Sequence, residues 1–212
     1  MALQNRLALL LVMAVGAVTP GHVPAAEPPM PMAAVSPIPP QLAKRTYVYI
    51  LDGVNPLGVA GVQQLADRLQ RAGFIHIRAG GWYSGDGFER EIRATHAADP
   101  SARFAVIGYS AGSYKARALA NRLVRSRVPV AVVGYIGGDY LRDTSETRVP
   151  GAGLVVNITG DGFLLTGRNL MFNGIAVSGA WNVPLIGTAH YDLPTDPRTF
   201  TTLYSALAAG GN

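Results

Sequence analysis

The stretch Arg103-Phe-Ala-Val-Ile-Gly-Tyr-Ser-Ala-Gly-Ser-Tyr-Lys-Ala-Arg117 reads as a strand, a sharp turn and a helix, with Ser110 at the turn. Phe104 to Ile107 is a short apolar run, partly β-branched, that suits a buried strand, and good helix formers dominate from Ala111 onward. Between them, Gly108-Tyr109-Ser110-Ala111-Gly112 sets a glycine two residues before and two after the serine. A strand that turns abruptly into a helix crowds its own backbone, so these flanking positions need residues without side chains. The serine oxygen is then pushed out beside a helix N-terminus, and the Ala111 N–H points to where a tetrahedral oxyanion would form. That position is useful for acyl transfer. In a chain with 25 glycines and nine serines the pentapeptide alone says little, and its weight comes from the strand before it and the helix after it. The competing readings are an ordinary glycine-rich turn and a phosphate-binding loop. No Gly-Lys-Ser/Thr follows, which argues against the second.

On both sides of this stretch strand and helix alternate, the pattern of a parallel sheet covered on both faces. Upstream, Tyr47 to Leu51 is a first strand ending in the turn Asp52-Gly53-Val54-Asn55-Pro56. Val62, Leu65, Ala66 and Leu69 keep helical spacing up to Gly73, and Phe74 to Ile77 reads as a second strand. A polar loop, 80–87, leads into a weaker helix from Phe88 to about Ala98. Downstream, Pro129 to Ile136 reads as a fourth strand, Leu154 to Ile158 as a fifth, Gly174 to Val177 as a sixth and Thr199 to Ala208 as a last helix. The predicted fold class is α/β, one domain on a mostly parallel sheet of about six strands with helices on both faces. There is no internal repeat.

The N-terminal residues 1–26 have the three parts of an export signal: Arg6 in a short polar region, an apolar run from Leu7 to Val18, and small residues around Ala25-Ala26. The apolar run is about 12 residues, short of the roughly 20 that cross a bilayer, so cleavage is expected and no stable membrane insertion after it. From Pro20 to Pro40 eight prolines fall in 21 residues, and 27–43 reads as a Pro-rich linker before a folded part at 44–212. The chain has no cysteine, which excludes thiol catalysis and a disulfide framework. The expected location is secreted or periplasmic. The net charge of +5 is spread out, and its densest group, Arg122, Arg125 and Arg127, reads as a solvated helix end rather than a nucleic-acid or lipid patch. No His/Asp/Glu group has metal-ligand spacing, and no metal or cofactor is expected.

A strand, Gly-x-Ser-x-Gly and a helix, followed by an acid after a later strand and a histidine near the end, resembles the α/β-hydrolase superfamily of serine hydrolases. The likeness spans roughly Thr46 to Leu207. It departs from the full pattern in lacking a first antiparallel hairpin and an inserted cap domain, so the chain looks like a compact, lidless, esterase- or lipase-like member. The resemblance implies a strand order of 2-1-3-4-5-6, with the site beyond the C-terminal strand ends.

Of the four histidines, His22 is in the proline-rich stretch from Pro20 to Pro40, His76 in a strand and His96 on a helix; His190 follows the last strand. That is where the superfamily has its general base, and imidazole can take the serine proton and return it to the leaving group. A carboxylate must hold the ring in the right tautomer. Asp161 follows the fifth strand and Asp139 the fourth. Both also read as turn formers. In the implied order the fifth strand is beside the sixth, which leads to His190, and the resemblance puts the acid most often after this strand. Asp161 is therefore preferred and Asp139 is the alternative.

By resemblance, the second oxyanion donor is the backbone of Gly53 or Val54, beside that of Ala111. Trp82, Tyr83, Phe163, Leu164, Leu165 and Met171 are candidates to line an acyl site and read equally well as packing. The expectation is a serine hydrolase acting on a small-molecule or lipid-like ester or thioester, with no nucleic-acid partner. The alternatives are a non-catalytic binding protein on the same scaffold and an acyltransferase.

Overall fold

The computed structural model describes residues 37–54, 60–138, 149–161 and 177–209. Six parallel strands form one sheet: β1 (Thr46–Leu51), β2 (His76–Gly80), β3 (Arg103–Tyr109), β4 (Val130–Ile136), β5 (Leu154–Gly160) and β6 (Trp181–Leu185). Their order is β2-β1-β3-β4-β5-β6, as the resemblance implied. The helices are α1 (Pro40–Arg45), α2 (Val62–Arg71), α3 (Gly85–Ala98), α4 (Ala111–Arg125) and α5 (Pro197–Ala209). Because every strand points the same way, all the loops that leave strand C-termini gather at one edge of the sheet.

The central strands are apolar on both faces because both are covered. Period-two alternation then sorts the side chains. Val48, Ile50, Ala105, Ile107, Tyr109, Val132 and Ile158 pack with Leu65, Leu69, Leu203 and Leu207, the apolar stripes of α2 and α5. Tyr49, Leu51, Phe104, Val106, Val133 and Val155 pack with Ile92, Ala116, Leu119 and Leu123 of α3 and α4. Glu89 on α3 ties these last two helices together, accepting from Arg93 at 2.7 Å and from Arg122 at 2.5 Å. Arg122, expected to be solvated at a helix end, is thus paired.

Two strands depart from the expected bounds. The second begins at His76 rather than Phe74, because Phe74 closes α2: its N–H reaches the Leu69 carbonyl at 3.3 Å across Gly73, which has φ 111°, and its side chain is fully buried beneath the helix. The sixth is Trp181–Leu185, not Gly174 to Val177. Val177 is buried in a turn, and 174–176 lie outside the described residues. This edge strand is mostly exposed and contains Pro184, so its sequence carries neither the apolar run nor the ladder donors of an inner strand. The reading of 27–43 as linker ends too late. Ile38 is buried with its N–H donating to the Tyr204 hydroxyl at 2.6 Å, and α1 starts at Pro40. Residues 1–36, which include the expected export signal, are outside the described residues.

Candidate active site

Ser110 joins β3 directly to α4 with φ 52° and ψ −127°. A non-glycine residue in this region costs on the order of 1–3 kcal/mol, so surrounding contacts must hold it. They are visible on every side. The Ser110 N–H donates to the Ile136 carbonyl of β4 at 2.8 Å, and the Ser110 carbonyl accepts from the Ser113 N–H at 2.9 Å. The Ser113 hydroxyl donates to the Gly108 carbonyl at 2.9 Å. A Cβ on Gly108 would overlap the Gly112 carbonyl, and one on Gly112 would stand 2.7 Å from the Asp52 carbonyl oxygen and overlap that of Leu51. The crowding at Gly112 thus comes from the end of β1, a neighbouring strand, as well as from the corner. Ser110 stands at the N-cap of α4, yet its hydroxyl makes no cap hydrogen bond there.

His190 opens a short 3-10 turn, His190–Asp192, beyond β6, and is 5 % exposed. Its ring packs on the turn after β4: a Cβ on Gly137, which has φ 56°, would stand 3.0 Å from His190 Nδ1. A Cβ on the next residue, Gly138, would stand 3.2 Å from the Ser110 carbonyl oxygen. His190 and Ser110 therefore flank the Gly137-Gly138 turn. The Tyr109 hydroxyl also donates to the His190 carbonyl at 3.2 Å.

The loop carrying His190 is tied from two other directions. Asp161, at the end of β5, accepts from the Gly187 N–H at 2.5 Å. Asp196 accepts from the Thr188 hydroxyl at 2.7 Å and from Arg198 Nη2 at 2.8 Å, and Arg198 also donates to Thr188 Oγ1 at 2.6 Å. Burial raises the Asp196 carboxyl, but these hydrogen bonds and the Arg198 charge outweigh it and hold the group below its ordinary value.

Three solved structures resemble this fold. An alpha-beta serine hydrolase homologue from Coxiella burnetii is 16% identical, with a TM-score of 0.48, over 78% of this chain and 85% of its own. A cutinase-like protein from Cryptococcus sp. is 16% identical, with a TM-score of 0.45, over 78% of this chain and 97% of its own. A protein proposed to be a hydrolase of the alpha/beta superfamily, from Xanthomonas campestris, is 13% identical, with a TM-score of 0.39, over 77% and 99%. No protein-family model matches the chain, and no curated protein sequence matches it either.

Other expected site residues are placed as follows. A Cβ on Gly53 would stand 2.8 Å from Ser110 Cβ and 3.2 Å from the Ala111 nitrogen, which brings the loop after β1 against the elbow. The Gly53 N–H itself donates to Asp52 Oδ1 at 2.7 Å. Asp139, Phe163, Leu164, Leu165 and Met171 lie outside the described residues. Trp82 and Tyr83 form an edge-on pair, 6.3 Å between centroids, and stand exposed, with Lys115 Nζ 5.1 Å above the Trp82 ring. Among the described residues, eight large apolar or aromatic side chains are exposed. Six of them, Val54, Trp82, Tyr83, Tyr114, Ile186 and Tyr191, follow strand C-termini in the chain, on the side of the sheet that carries Ser110. Sequence reasoning passed over Tyr109 and the Gly137-Gly138 turn. A glycine pair directly after a strand signals close approach of another group, whereas nothing in the sequence marks Tyr109.

Proposed function

We propose that the chain is an exported serine hydrolase of the α/β-hydrolase superfamily that cleaves carboxylic esters or thioesters through an acyl-enzyme. The observation that carries this reading is the backbone of Ser110, strained between Gly108 and Gly112 at a strand-to-helix junction, with His190 across the adjacent Gly137-Gly138 turn. In this mechanism His190 takes the Ser110 proton as Oγ attacks the ester carbonyl. The oxyanion receives the Ala111 N–H and, from the loop after β1, that of Val54, since the Gly53 N–H is turned to Asp52. The proton passes from His190 to the leaving alcohol or thiol, and a water activated by the same ring releases the acid. The rim of Val54, Trp82 and Tyr83 suits an apolar acyl or alcohol group.

Asp161 is the proposed acid. Its bond to Gly187 anchors the loop that carries His190. A second reading gives this role to Asp139, because His190 Nδ1 abuts Gly137, two residues before it.

A fluorophosphonate probe and a chromogenic ester panel of varied chain length test the whole reading. The expected result is labelling of the wild type at Ser110, with turnover lost in Ser110→Ala by up to about a millionfold, the scale of such a knockout in a known triad. A folded wild type that takes no label would instead make the chain a binding protein on this scaffold, and ester products formed with added alcohols would make it an acyltransferase. Export is tested by N-terminal sequencing, which should start near Ala26; intact Met1 in a membrane fraction would replace cleavage by an anchor.

A further inference from the structure

Tyr109 occupies the variable position immediately before Ser110, and it is 2 % exposed. Its backbone is fixed by pairing with Ile136 of β4, so its side chain rises from a rigid point on the sheet. Strand alternation sends it to the face shared with Ala105 and Ile107, beneath the 3-10 turn that starts at His190. There it makes two contacts with that residue. The hydroxyl donates to the His190 carbonyl at 3.2 Å, and the ring lies 5.1 Å from the imidazole centroid at 32°. Within its own turn the same carbonyl is also reached by the Leu193 N–H at 3.4 Å, so the tyrosine and the turn share it.

We propose that Tyr109 is a positioning residue for the reaction: it sets the height and tilt of His190 over Ser110, linking the nucleophile's own strand to the loop that carries the base. This rests on the hydrolase reading above. Asp161 and Asp196 hold the loop at Gly187 and Thr188, two or three residues before the histidine. Tyr109 holds His190 itself. A misplaced general base slows proton transfer while leaving substrate binding alone, so the consequence belongs to kcat rather than KM.

The test uses Tyr109→Phe, which keeps the ring and removes the donor, and Tyr109→Leu, which removes both. With Tyr109→Phe, kcat and the rate of Ser110 phosphonylation should fall about three- to tenfold with KM within about twofold, the scale of one neutral hydrogen bond. Tyr109→Leu should fall further and displace the imidazole Hε1 resonance of His190, which Tyr109→Phe should leave nearly in place. A Tyr109→Phe enzyme with wild-type kcat and phosphonylation rate overturns the proposal, as does one that raises KM with kcat unchanged. Should Tyr109→Leu not fold, Tyr109→Phe decides alone, since it keeps every carbon of the packed ring. Failure of the wild type to label at Ser110 overturns the underlying hydrolase reading; normal labelling of wild type and both variants alike overturns only the role of Tyr109.

Discussion

The elbow around Ser110 and the loop around His190, the two halves of the proposed site, are held in different ways. At the elbow, nearly every restraint is backbone on backbone: the Ser110 N–H on Ile136, Gly112 against the carbonyls of Leu51 and Asp52, and Gly108 against Gly112. The histidine loop is held by side chains from other parts of the chain, through Asp161 on Gly187, Tyr109 on His190, and Asp196 with Arg198 on Thr188. Backbone packing cannot rearrange without disturbing the sheet. Side-chain ties can be cut one at a time, so the loop is where single substitutions should grade activity rather than abolish the fold.

The sharpest test of this contrast is Asp161. If it braces His190 as the triad acid as well as anchoring Gly187, Asp161→Asn keeps an acceptor for the Gly187 N–H but favours the wrong imidazole tautomer. In a serine protease the equivalent change costs about ten-thousand-fold in turnover. We expect a loss of that order with the far-ultraviolet circular dichroism spectrum unchanged, and a much smaller loss for Asp139→Asn. The reverse ranking would move the acid to the turn after β4 and leave Asp161 as a tie to the loop only.

Two glycines compare the regions by stability. At Gly112 any side chain overlaps the backbone of β1, and Gly112→Ala should cost about 1–3 kcal/mol or more, because the neighbour that must yield is a strand. At Gly187, with φ 79° and nothing within 4 Å of the added carbon, only the left-handed backbone resists. Gly187→Ala should cost about 1 kcal/mol, the strain of roughly 1–2 kcal/mol being partly offset by a less flexible unfolded chain. Urea unfolding of both variants checks the order. Equal costs would mean that the elbow is no stiffer than the loop.

The same contrast explains what was legible in the sequence. Gly108, Ser110 and Gly112 are adjacent in the chain, and their spacing follows from a local steric demand, so the elbow, the strand before it and the helix after it could be read directly. The sheet order followed from the resemblance, and the alternation of apolar runs supplied its elements. His190 was put forward by its position after the last strand, although that strand was sought at 174–177. An exposed edge strand with a proline inside it offers no period to recognise. The ties to the histidine loop were out of reach because they join residues far apart in sequence: Tyr109 to His190 spans 81 positions and Asp161 to Gly187 spans 26. The pairing of Arg122 with Glu89, 33 positions away, was hidden for the same reason.

The smallest effect, and the one most specific to the loop, concerns Asp196. Its Oδ1 accepts from the Arg198 backbone N–H at 2.7 Å while Oδ2 takes the Thr188 hydroxyl, so the carboxylate closes the base of the loop against the start of α5. Because the folded protein holds this carboxyl below its ordinary value, folding favours the ionised form. The stability it contributes is complete above the unfolded value, near pH 4, and is lost as the pH falls through the lower folded value. Arg198 is half exposed and screened by solvent, which limits the contribution to about 1 kcal/mol or less. Asp196→Asn should therefore be less stable than wild type at pH 7 by no more than that amount, and the difference should close as the pH is lowered below about 4. Hydrogen exchange should locate the change at 186–196, with the amides of β3 and α4 protected as before. A difference that persists unchanged down to pH 3 would show that the shape of the side chain, not its charge, holds the loop. Loss of protection at the elbow as well would show that the two regions are coupled far more tightly than their contacts indicate.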